Sequence, residues 1–168
     1  MCVFISDELT VTTNTKESNM GIERSVLVIL HILGASIWIG GMLIMALGVL
    51  PKAKKSNDAS LLKNYEGSFH ILGMIALTIQ FLTGFRLAMI YAGGMKGLFD
   101  FSNHLAVLFV WKLVLILATM GLFVIFKKKT LSSLESDKIS NATSMIWLLT
   151  LISIALMVLG LGFSRGII

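Results

Sequence analysis

The chain has 168 residues, 56% of them hydrophobic and 14% charged, with 14 Lys and Arg against 9 Asp and Glu. A mean hydropathy of +0.89 excludes a water-soluble domain of ordinary composition, in which about a quarter of the residues are charged. The net charge of +5 falls largely in loops beside apolar runs, where anionic headgroups account for it, and no basic stretch interleaved with aromatics points to nucleic acid.

Residues 1–24 read as a polar N-terminal tail, because Ser6 to Asn19 is rich in Ser, Thr and Asn. Met1 to Ile5 has neither the basic start nor the apolar length of a secretory signal, and Met20 offers a second candidate start. The single cysteine, Cys2, excludes an intrachain disulfide and a cysteine-based metal cage. Residues 25–168 then read as one domain of four transmembrane helices, approximately 25–50, 67–91, 103–126 and 140–164. No Asp, Glu, Lys or Arg lies in Ser25 to Leu50, Gly67 to Phe85, Leu113 to Phe126 or Ile139 to Ser164. Each run with its flanks reaches the roughly 20 residues that cross the hydrocarbon core. Lipid leaves backbone polar groups unsatisfied, so the runs are expected to be helices. Short connections then favour an all-α, antiparallel four-helix bundle.

The first run carries His31, Gly34, Ala35, Trp38, Gly41, Met42 and Met45 at spacings of one helical face. The bland reading of Gly34, Trp38, Gly40 and Gly41 is close helix packing, and methionine is a common gap-filler. An imidazole followed by thioethers is also a ligand set suited to copper(I). His31 is therefore a candidate for hydrogen bonding, ligation or proton transfer. In the second run His70 reads as an interfacial, solvated side chain, Gln80 as a donor between helices, and Thr83 as bonded to its own backbone, with Gly84 in the packing set. Arg86 at its end is a candidate either for headgroup phosphate or for a cofactor carboxylate.

The third run opens with His104, a further metal or haem candidate on the His31 side. Lys112 lies eight residues on, roughly 12 Å deeper. A lysine at that depth is expensive, and no Asp or Glu in the four runs offers it a partner. Its candidates are lipid phosphate, a backbone carbonyl, a cofactor carboxylate or an acidic group on another subunit, and a deprotonated lysine would serve in proton transfer. The fourth run reads as packing. Lys52, Lys54, Lys55 and Lys63 precede the second run, and Lys127, Lys128, Lys129 and Lys138 precede the fourth. These segments are expected in the cytoplasm, which places both termini outside, in the plasma membrane.

The segment Leu30-His31-Ile32-Leu33-Gly34-Ala35-Ser36-Ile37-Trp38-Ile39-Gly40-Gly41-Met42 resembles the first-helix signature of the copper-resistance protein D (CopD) family. Thr83-Gly84-Phe85 and Trp111-Lys112-Leu113 resemble that family's second and third helices. The resemblance covers roughly residues 25–164 and implies copper transport or homeostasis. A histidine on the first helix and a lysine on the third are also similar to the HemJ-type protoporphyrinogen oxidases. That likeness implies His31 as axial ligand of a b-type haem, with Lys112 as its functional counterpart. After Gly41, however, Met42-Leu43-Ile44-Met45 departs from the aromatic and arginine-containing continuation of that family. A third expectation is an accessory subunit of a larger membrane enzyme, its small-residue faces packing on other membrane subunits. A chain without paired histidines or intramembrane carboxylates is not expected to be an enzyme on its own.

Overall fold

The computed structural model describes the backbone of residues 3–100, 104–131 and 139–165, with side chains over 18–100, 106–128, 139 and 142–160. Among the described residues every regular element is helical. Helix α1 (Val3–Leu43) passes through a π-helical stretch (Ile44–Val49) into α2 (Leu50–Ser56). Then follow α3 (Ser60–Tyr91), the short α4 (Met95–Leu98), α5 (His104–Ile125) with a π-helical extension (Phe126–Leu131), and α6 (Ile139–Arg165). Four helical stretches are long and apolar enough to cross a membrane: Ser18–Ser56, Ser60–Tyr91, Ala106–Lys128 and Ala142–Gly160.

The helices extend beyond the apolar runs at several ends. α1 begins at Val3, within the polar N-terminal stretch. The wide turn at Ile44–Val49 precedes Pro51, the only proline. Proline has no N–H for the carbonyl four residues back and its ring crowds that carbonyl. The ladder lengthens there, with Leu50 N–H reaching Met45 C=O.

The link from α2 to α3 is only three residues long. Asn57 takes a left-handed conformation at φ 50°, one that Asn tolerates at a helix C-terminus. Asp58 N–H bonds Ala53 C=O at 3.0 Å, and the Asp58 carboxylate accepts from Ser60 N–H at 2.8 Å. The Ser60 hydroxyl and then its N–H hold the Asp58 carboxyl below its ordinary pKa. This compact turn starts α3 at Ser60, before the expected position 67, and brings Glu66 inside the helix.

The core centres on Trp38. Its indole N–H donates to Ser153 Oγ of α6 at 3.0 Å, and Ser153 donates in turn to Leu149 C=O at 2.7 Å. Its ring meets Phe123 of α5 edge-on at 5.3 Å and Phe69 of α3 at 6.2 Å. Trp38 thus joins all four long helices, and its N–H is satisfied as a buried indole requires. Between α1 and α3, the pairs Glu23–Arg86, His31–Thr83 and Gly41–Tyr65 ascend along one helix while they descend along the other.

Candidate functional site

At one end of this core His31 is fixed from three sides. Its Nδ1 lies 2.9 Å from Thr83 Oγ1, and the Thr83 hydroxyl donates to Ile79 C=O at 2.6 Å. The hydroxyl proton is therefore committed, and Thr83 accepts from Nδ1–H. Gln80 Nε2 donates to the backbone carbonyl of His31 at 2.8 Å. Glycines allow the approach: a Cβ on Gly84 would lie 2.9 Å from His31 Cε1, and one on Gly34 would lie 3.0 Å from Ala76 O. This arrangement leaves Nε2 as the nitrogen with a lone pair, the atom an imidazole offers to a metal or a proton.

Lys112 of α5 belongs to the same end. Its Nζ lies 3.4 Å from where a Gly160 Cβ would stand on α6. Among the described residues no carboxylate pairs with it. Arg86, by contrast, is occupied: its Nη2 and Nε each reach Glu23 Oε1 at 2.7 Å. That exposed pair ties α1 to α3, so neither headgroup phosphate nor a cofactor carboxylate is needed to balance Arg86. Arg24 beside it donates to Tyr91 Oη at 2.9 Å.

Met42 and Met45 are 1% and 3% exposed, about 16 and 21 Å along the helix from His31 at 1.5 Å per residue. They do not share a coordination sphere with it. Met74 of α3, Met120 of α5 and Met145 of α6 pack against the same core. Every long helix therefore contributes a thioether. Gly41 lies against the Phe69 ring, whereas a Cβ on Gly40 would meet nothing within 4 Å; Gly40 is the exception to the expected packing set. His104 begins α5, and its side chain lies outside the described residues.

The opposite end holds a cluster that the apolar runs concealed. Glu66 is buried, its Oε1 3.2 Å from His70 Nδ1 and 3.5 Å from Lys127 Nζ. His70 stacks on Phe123 with centroids 6.1 Å apart. The His70 side chain remains 33% exposed, and to its expected interfacial setting the structure adds a carboxylate and a ring. Neither Glu66 Oε1 nor His70 Nδ1 has an aligned hydrogen bond, although their separation is within ion-pair range. Helical spacing of four residues was a usable signal for this pair, but Glu66 lay just before the expected helix and only His70 within it. Among the described residues no three His, Cys, Asp or Glu gather to hold a metal.

No protein-family model, curated protein or solved structure matches this chain.

Proposed function

We propose that this chain is an integral membrane protein of the plasma membrane, an antiparallel four-helix bundle with both termini outside, that handles copper(I) in transport or homeostasis. Outward-facing Ile29, Ile32, Leu47, Ile71, Leu82, Val114, Leu117 and Leu151, all around half exposed or more, supply the apolar surface that lipid covers. Lys52, Lys54, Lys55, Lys63, Lys127 and Lys128 gather toward the Glu66 end, which is the cytoplasmic side in this reading.

The observation that supports the copper reading is that each of the four long helices contributes a methionine to, or packs one against, the same apolar core. Thioethers are soft, neutral ligands that suit copper(I), and imidazole is compatible with it. In this reading His31 stands toward the outer end and Met42 and Met45 lie about 16 and 21 Å further along the same helix, so imidazole and thioethers succeed one another along the chain. An ion that must leave again is served by weak sites in sequence, since one closed, tight site would trap it.

Lys112, which has no carboxylate partner among the described residues, favours a second reading, because the carboxylate of a bound cofactor would balance its ammonium. A b-type haem would be held by two groups, His31 through Nε2 and Lys112 through a carboxylate of the cofactor. The haem would supply one-electron redox chemistry. The chain's part would be to fix the imidazole tautomer through Thr83 and to hold the negative edge through Lys112.

Copper(I) titration of the purified full chain against a chromogenic chelator, under anaerobic reducing conditions, tests the first reading. The protein is expected to withdraw copper from the chelator. The double variant Met42→Leu/Met45→Leu conserves volume and is expected to weaken binding by at least about tenfold. Equal affinity in the folded double variant would reject the thioethers as ligands. A Soret band abolished by His31→Ala would instead establish the haem reading, and its absence from protein made in a haem-replete host removes that reading.

A further inference from the structure

We infer that Glu66 and His70 form a separate binding site for a divalent transition-metal ion at the end of the bundle opposite His31, with Lys127 as a built-in competing cation. The pair sits at i and i+4 on α3, where side chains project from one helical face. Both reacting atoms are buried, and they approach within 3.2 Å without the alignment of a hydrogen bond. Two ligands each about 2.0–2.1 Å from a tetrahedral ion lie about 3.3 Å apart, so this ion-pair separation also matches the bite of a chelate.

A positive group already reaches the site. Lys127 Nζ lies 3.5 Å from the same Glu66 oxygen, and it comes from the π-helical turn at the end of α5. Its side chain is 42% exposed, so the long stem can carry the ammonium into solvent when a metal takes the carboxylate. The Phe123 ring lies along the imidazole and restrains its orientation. Carboxylate with imidazole is a donor set of borderline hardness, suited to zinc and cobalt(II), and it differs from the thioethers assigned to copper(I). The site therefore stands independently of the copper reading.

Lysine makes the test directional. Cobalt(II) is titrated into the full chain in detergent, and binding is read from its visible ligand-field bands. Glu66→Gln and His70→Asn are each expected to weaken binding about 10- to 100-fold. Lys127→Met is expected to tighten it several-fold, because the competitor is removed. Gly40→Ala, where an added Cβ would meet nothing within 4 Å, is expected to leave it unchanged. A structural ion pair would give the opposite sign: a Lys127→Met protein that binds cobalt no better than the parent overturns the proposal, as does undiminished binding by folded Glu66→Gln. Copper(I) affinity measured on the same variants separates this outcome from failure of the thioether sites.

Discussion

The hydroxyl of Thr83 has one proton, and at 2.6 Å it goes to Ile79 C=O, leaving lone pairs toward His31. Read in the sequence alone, Thr83 was expected to bond its own backbone, and it does. What a single helix could not reveal is that the same oxygen also receives Nδ1–H from α1, because the register between two helices decides that contact. Thr83→Val keeps the shape and removes the acceptor. Nitrogen-15 spectra of the imidazole are expected to show the Nδ1–H tautomer in the parent and in Thr83→Ser, and a mixed population in Thr83→Val. The valine variant is also expected to lose about 1–3 kcal/mol of stability, the cost of a buried donor without a partner. A single unchanged tautomer in Thr83→Val would separate the choice of nitrogen from this hydroxyl.

Helix α1 meets α3 through two kinds of contact, polar clamps and glycine approaches. Tyr65 Oη donates to Gly41 C=O at 2.8 Å, and the Phe69 ring lies where a Gly41 side chain would be. Gly41→Ala must push that ring aside, at an expected cost of about 1–3 kcal/mol. Neighbouring Gly40 has open space at its Cβ, so Gly40→Ala is expected to be neutral or to gain up to about 1 kcal/mol of helix propensity. Thermal unfolding in detergent checks the contrast, which equal midpoints would deny. Both glycines looked alike in the sequence, since spacing along one helix does not say which of two adjacent residues faces the partner. The helix ends were similarly hidden. Ser60–Glu66 is too polar to extend an apolar run, and Glu66 becomes buried only because His70 and the end of α5 enclose it.

Across the whole molecule, the four long helices were legible because a membrane crossing imposes length and excludes charge, two properties visible in composition alone. The polar partners of His31 were not legible, because Thr83 and Gln80 reach it only through the register of α3 against α1. The place of Met74 and Met145 against the core was not legible, because they are ordinary apolar residues until α3 and α6 carry them to it. The two ends of the bundle also differ in chemistry, imidazole and ammonium at one, carboxylate, imidazole and lysine at the other. In the proposed reading, weak soft donors between unlike ends would serve passage of the ion. The direct measurement is copper(I) movement into liposomes containing the purified chain, with a copper(I)-specific dye inside. The dye is expected to respond faster than in protein-free liposomes, and the response to fall at least about tenfold with Met42→Leu/Met45→Leu; rates equal to those of empty liposomes, or unaltered in that variant, would contradict copper passage through the methionine core.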